Sequence, residues 1–292
     1  MKIVIVGGVA GGASAAARAR RLSEDAEIIL VERGPDVSFA NCGLPYYIGG
    51  QIAQRDKLLV TTPERLRERF RLDVRVRSSV ESIDRAAKKV RIANLATGAT
   101  YDESYDKLIL APGAAPLRPP IPGIDSPGIY TLRNLQDTDR IKAAVNSGVR
   151  HAVVVGAGFI GLELIENLVH LGVATTLVEL QDQVLPPLDK EMTAPLAHAL
   201  KSHGVSLRLG DSAEAFEPVD DGVVVRLKSG EQITAQLVAL GIGVRPENKL
   251  AVDAGLEVGP RGGIRVNQTL QTSDPDIYAV GDAIEVTDFV LG

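Results

Sequence analysis

His151-Ala-Val-Val-Val155-Gly156-Ala157-Gly158-Phe159-Ile160-Gly161 joins an apolar, β-branched run to three glycines at G-x-G-x-x-G spacing. The run reads as a buried parallel strand, and the helix-prone stretch 162–171 follows it. A second apolar run, Ala174–Glu179, ends in an acid about 20 residues past the turn. Each part has a physical task. Gly156 makes the tight turn, Gly158 lets the backbone approach a pyrophosphate, and Gly161 lets the helix pack close to the strand. The helix N-terminus faces the phosphates, and Glu179 can accept hydrogen bonds from a ribose hydroxyl. A lone glycine motif is weak, but strand, turn, helix and acid in register are strong. Glu179 also bears on the choice of nucleotide. Its carboxylate repels a 2′-phosphate, and no Lys or Arg lies between 180 and 189 to receive one, so NADH is favoured over NADPH.

The same pattern opens the chain. Lys2–Val6 reads as a strand, Gly7-Gly8-Val9-Ala10-Gly11-Gly12 as a glycine turn, 13–22 as a helix, and 27–32 as a strand ending in Glu32. Val9 stands where the second glycine is usual. From spacing alone this dinucleotide could be FAD or NAD. Two such turns so far apart indicate a duplicated nucleotide-binding fold rather than short repeats. Between them, 112–127 holds Pro112, Pro116, Pro119, Pro120, Pro122 and Pro127, the best candidate for a domain linker. A helix is expected after Pro63. Further strands are expected at 74–76, 80–83, 90–92, Lys107–Leu110, 205–209, Gly222–Leu227, 233–240 and 277–280. The fold class is therefore α/β with two Rossmann-like dinucleotide-binding domains.

A chain of 292 residues can bury more than one core. A formal charge of −5 argues against a general nucleic-acid binder, and no run is long enough to span a bilayer. The single cysteine excludes an intrachain disulfide and, with no signal peptide, points to the reducing cytoplasm.

That cysteine lies in Ser38-Phe-Ala-Asn41-Cys42-Gly-Leu-Pro45-Tyr46-Tyr47. Most free cysteines are small buried hydrophobes. Three features point elsewhere. The segment is rich in Gly and Pro, Ser38 and Asn41 bring polar groups near, and a helical turn over 43–49 would favour a thiolate at its N-terminus. Position 47 is tyrosine, so there is no cysteine five residues on. If Cys42 does redox chemistry, its oxidised form must be a mixed disulfide with a small thiol, or a sulfenic acid.

With these residues in view, the chain resembles the flavin-dependent pyridine nucleotide–disulfide oxidoreductases, single-cysteine branch. The segment SFANCGLPYYIGG around Cys42 is most similar to coenzyme A disulfide reductases and NADH-dependent persulfide reductases. The resemblance runs over all 292 residues. It includes IVIVGGVAGG at the start, Ala111-Pro112-Gly113, Gly241-Ile242-Gly243-Val-Arg-Pro246, and Thr272-Ser-Asp-Pro-Asp-Ile-Tyr-Ala-Val-Gly281-Asp282. The resemblance implies that the first unit holds FAD. Gly7 to Gly12, Glu32, Arg33, Asn41, Val80, Ala111 to Gly113, Gly281 and Asp282 would then contact it. Glu32 would hold the adenosine ribose, Asp282 the ribityl chain or pyrophosphate end, and Val80 the adenine through its backbone. It implies that Gly156, Gly158, Phe159, Ile160, Gly161, Glu163, Glu179 and Gly241 to Gly243 serve NADH. Phe159 would be an aromatic gate over the flavin, and Glu163 would lie near the flavin edge. The implied division is 1–113 with 244–292 for FAD, discontinuous, and 114–243 for NAD.

By the same resemblance, Cys42 is catalytic, and Ser14, Arg18, Arg21, Ser38 and Asn41 contact coenzyme A as substrate or bound thiol. Arg65, Arg67, Arg69, Arg71, Arg75 and Arg77 form a second basic run, for which a solvated face is the heavier expectation. Phe70 stands where some relatives have a lysine for CoA. Electrons are expected to pass from NADH through flavin to Cys42, and on to CoA disulfide, CoA persulfide or polysulfide. The alternatives are an NADH oxidase or peroxidase using a Cys42 sulfenic acid, and an FAD/NAD-binding fragment with little activity. The sequence stops soon after Gly281-Asp282, where the resemblance leads one to expect an interface domain that makes the family homodimer. That domain is expected to be absent here.

Overall fold

A computed structural model describes residues 1–288 and Val290. In chain order the elements begin β1 (Lys2–Val6), α1 (Ala10–Leu22), β2 (Glu27–Val31), α2 (Leu44–Ile48), α3 (Pro63–Phe70), β3 (Asp73–Arg75), β4 (Ser78–Asp84), β5 (Lys89–Asn94), β6 (Thr100–Ser104), β7 (Lys107–Leu110), β8 (Ala114–Pro116) and β9 (Ile129–Thr131). They continue α4 (Leu135–Asn146), β10 (His151–Val155), α5 (Phe159–His170), β11 (Ala174–Glu179), α6 (Lys190–Ser202), β12 (Ser206–Leu209), β13 (Ala213–Val219), β14 (Gly222–Leu227), β15 (Gln232–Ala235), β16 (Leu237–Leu240), β17 (Val244–Pro246), α7 (Lys249–Asp253) and β18 (Ile277–Ala279).

Two compact units form. The first comprises Met1–Phe39, Leu59–Ala115 and Arg245–Gly292, the second Ala40–Leu58 and Pro116–Val244. The change at 115/116 falls inside the proline-rich stretch. A division by nucleotide role keeps all of 1–113 together, whereas residues 40–58 pack with the second unit. The reason is local: α2 lies against α4 and α5.

The first unit is built on a five-stranded parallel sheet in the order β18-β7-β1-β2-β3. Alternate residues of β1 serve different cores. Ile3 and Ile5 pack with Ala16, Leu66 and Val74, and Val4 and Val6 pack with Val80, Ile92 and Leu108. Burial on both faces explains why β1 is a continuous apolar run rather than an alternating one. A three-stranded antiparallel sheet, β4-β5-β6, covers the second of these faces.

The second unit repeats the plan, with the parallel order β12-β11-β10-β16-β9 and an antiparallel sheet β13-β14-β15. Val153, Val155, Val178 and Val238 pack against Phe216, Val223, Val225 and Ile233. The single strand expected over 233–240 is two strands in two sheets. They part at Gln236, whose side-chain amide donates to Asp221 and whose Oε1 accepts from the His151 N–H at 3.0 Å. Among the described residues, no helix is long and apolar enough to cross a membrane.

Candidate functional site: two acid-clamped glycine turns and an exposed thiol

The two glycine turns are built alike. Gly7 and Gly156 have φ of +98° and +106°, which a side chain would strain. The third glycine of each turn lies under the first. A Cβ on Gly12 would sit 1.8 Å from the Gly7 carbonyl oxygen, and one on Gly161 2.1 Å from that of Gly156. The helix can approach the strand only because these atoms are missing. Position two differs. A Cβ on Gly158 would meet nothing closer than 4.0 Å, so packing within the chain does not require glycine there.

The acids repeat as closely. Glu32 accepts from the backbone N–H of Gly8 through Oε2 and of Gly34 through Oε1, each at 2.6 Å. Glu179 accepts from Ala157 at 2.7 Å and Gln181 at 2.8 Å in the same way. Each carboxylate is thereby fixed at the edge of its turn. Its remaining lone pairs are open to ribose hydroxyls. Both turns lie at the carboxyl end of the central strand, beside the point where the strand order reverses, which is where open α/β sheets take ligands.

Around the first turn, Ala111, Pro112 and Gly113 continue β7, and the Val280 N–H donates to Leu110 O at 2.9 Å, leading into Gly281 and the exposed Asp282. Ala10 and Gly11 begin α1. The Val80 side chain is buried, and Ser78 of the same strand donates its N–H to Glu32 O at 3.0 Å. Arg33 donates from the single nitrogen Nη2 to both oxygens of Glu247, at 3.0 and 2.8 Å. Around the second turn, Gly241 donates to Val155 O at 2.7 Å, and Ile242 and Gly243 follow. Phe159, at the start of α5, is 65% exposed, an unusual place for a large ring. Ile160 is exposed beside it. Burial, and then Glu166, hold the Glu163 carboxyl above its ordinary range.

Cys42 is exposed, in the single turn Asn41–Gly43 that precedes α2. It is thus unlike the buried thiols that most free cysteines are, in the direction the three sequence features point. The turn is pinned from behind. The Ala40 N–H donates to Leu58 O at 2.8 Å, and a Cβ on Gly43 would sit 2.6 Å from the Leu58 side chain. At its far end, Lys142 of α4 lies 4.3 Å from the Tyr47 ring centroid and donates to the carbonyls of Tyr47 and Ile48. Arg55 Nε donates to both oxygens of Asp139. Tyr46 has its hydroxyl pushed up by Glu166 first, then by burial, Glu163 and Cys42. The helix expected over 43–49 is the five-residue α2.

Ser14, Arg18 and Arg21 share the exposed face of α1. Ser14 and Ser38 line a pocket of about 510 Å³ between α1 and α3. Ser38 is held at φ +44° by donating its N–H to Gly8 O and accepting from Val60 and Thr61. Asn41 belongs to the second unit, with Cys42. The rest of the pocket comes from Thr61, Arg65, Arg69 and Phe70, among others. The Thr62 cap and Pro63 start α3, and Arg65 and Arg69 follow four apart on one face. Arg65, Arg67, Arg69, Arg71 and Arg77 are exposed, as expected of a solvated face, and Arg75 is half-buried. Arg65 and Arg69 line the pocket, whereas Arg75 pairs with Asp73 and Glu103.

A family model described as pyridine nucleotide-disulphide oxidoreductase matches residues 1–290. The chain belongs to this family. It is 37% identical over 282 residues to a coenzyme A disulfide reductase of Staphylococcus aureus (strain JH9), covering 96% of this chain and 63% of that protein. It resembles the reduced CoADR-RHD of Bacillus anthracis at 57% identity, TM-score 0.97, over 99% of this chain and 52% of that one. The NAD-dependent persulfide reductase of A. fulgidus gives 37% identity and TM-score 0.95, over 98% and 54%. The chain thus spans about 63% of the length of the curated relatives it matches. Members of the family use FAD and a nicotinamide nucleotide. The two turns fit such groups, since each offers a helix N-terminus and, at its edge, an acid held by two backbone N–H donors.

Proposed function

We propose that the protein passes electrons from NADH through FAD to Cys42, and from Cys42 to a small-molecule disulfide or persulfide, with CoA disulfide, CoA persulfide or polysulfide as the substrate class. The observation that carries this reading is the exposed Cys42, pinned in its turn and without a second cysteine to pair with. The FAD, when bound, supplies two-electron transfer between a nicotinamide and a disulfide. Glu32 with the Gly7–Gly12 turn holds FAD, and Glu179 with the Gly156–Gly161 turn holds NADH. Phe159 shields the site where the nicotinamide docks.

The thiolate of Cys42 attacks one sulfur of the substrate disulfide. A bond forms between Cys42 Sγ and that sulfur, the substrate S–S bond breaks, and the other half leaves as a thiolate. Two electrons and a proton then release the second thiol and restore Cys42. The pocket bearing Ser14, Ser38, Arg65 and Arg69 suits a thiol that carries phosphates. The lone cysteine favours the cytoplasm, and the family resemblance a homodimer, which sedimentation of the purified protein checks.

Intact-mass and peptide mass spectrometry of protein purified without reductant test the reading. A CoA adduct on Cys42, removed by NADH, is expected. A Cys42 found only as sulfenic acid, with NADH oxidation dependent on peroxide, would favour the oxidase or peroxidase chemistry instead.

A further inference from the structure

Arg20 is the one buried arginine among the described residues. It lies on the inner side of α1, away from Ser14, Arg18 and Arg21. Its guanidinium donates to four backbone carbonyls. Nε reaches Phe70 O at 2.8 Å, Nη2 reaches Arg71 O at 3.0 Å, and Nη1 reaches Ser23 O at 3.1 Å and Glu24 O at 2.7 Å. Two of these carbonyls follow the end of α1, and two end α3. Carbonyls in these places lack helical partners and carry the negative ends of the helix dipoles. A flat cation with five donors can satisfy both ends at once, whereas an ammonium presents its donors around one point. The exposed pair Arg71–Glu24, at 3.7 Å, joins the same two segments but adds little.

The pocket lies between the helices that Arg20 ties together. α1 contributes Ser14 and Ala17, and α3 contributes Arg65, Arg69 and Phe70. Arg20 holds the carbonyl of Phe70 itself, and the Phe70 ring centroid lies 5.5 Å from the Arg69 guanidinium and 5.9 Å from that of Arg21. We propose that Arg20 is a positioning residue for substrate. It sets the width of the α1–α3 pocket and the placement of the Phe70 ring with its two guanidiniums, without touching substrate. The inference rests on the reading of this pocket as the site of the phosphate-bearing thiol.

The test uses the full, flavin-loaded chain with NADH and CoA disulfide, comparing Arg20→Lys, Arg20→Gln and the pocket-filling Ala17→Phe. Both Arg20 variants should raise KM for CoA disulfide about fivefold or more, while kcat and the rate of flavin bleaching by NADH stay within about twofold. Arg20→Lys should fail although it keeps the charge, because the fork is what spans the two helix ends. If Ala17→Phe raises KM but the Arg20 variants do not, the pocket stands and the role given to Arg20 is overturned. If Ala17→Phe leaves KM unchanged, the pocket reading itself fails. Loss of flavin or of NADH-driven bleaching in both Arg20 variants would mark a general structural role and also overturn the inference.

Discussion

At the scale of single residues, the informative groups are those whose environment departs from the ordinary. Glu179 is buried to 9% exposure, yet both its oxygens are occupied by backbone N–H donors. Glu179→Gln keeps the shape but loses the charge and one of the two acceptors. KM for NADH should rise about tenfold, as expected for losing a charged hydrogen bond of roughly 1.5–3 kcal/mol, and the preference over NADPH should shrink. Steady-state kinetics with both nucleotides check this, and an unchanged preference would contradict it. Glu163 gives a pH signature. Its carboxyl is raised by burial and by Glu166, so ionising it costs more in the fold than in the unfolded chain. Below the unfolded value of 4.5 the penalty is absent, and it grows as pH rises through the folded value. Glu163→Gln removes the penalty. Its thermal midpoint should exceed that of the wild type near neutral and alkaline pH, and the two should converge in acid. A gap of the same size at every pH would rule this out.

At the scale of elements, the nucleotide turns carry the argument, and they are where the sequence was most legible. Glycine spacing, a following helix and a terminal acid are local properties, so residues 151–179 could be read without their surroundings. The irregular Val9 could not be read alone. At its counterpart Gly158, no contact within the chain requires glycine. This contrast gives a paired prediction. Gly161→Ala should cost about 2 kcal/mol or more, because its Cβ would meet the Gly156 backbone. Gly158→Ala should change stability by less than about 1 kcal/mol. Urea unfolding midpoints with unchanged slopes decide it, and equal costs would contradict the packing account. Less was legible where long-range packing decides. The run 233–240 looked like one strand because nothing local marks Gln236 as the point where the chain changes sheets. The pocket was half legible. Ser14, Ser38 and the CoA position held by Phe70 came from the family resemblance, whereas the places of Arg65 and Arg69 at the pocket depend on how α3 docks against α1.

At the scale of the whole molecule, one plan is used twice, with matching strand orders, matching turns and matching acids. The duplication and the proline-rich crossing at 115/116 show in the sequence because both repeat or alter local composition. The membership of residues 40–58 does not show, since it is settled by the packing of α2 on α4 and α5 and by Lys142 and Arg55. The proposed electron path runs from NADH at the second turn, through FAD at the first, to Cys42. Its most direct test is the anaerobic release of thiol from CoA disulfide per NADH consumed, measured on flavin-loaded wild type and Cys42→Ser. The wild type should release about two thiols for each NADH, as two electrons split one disulfide. Cys42→Ser should release none while NADH still bleaches its flavin. Full thiol release by Cys42→Ser, or a wild-type flavin that NADH cannot bleach, would contradict the account.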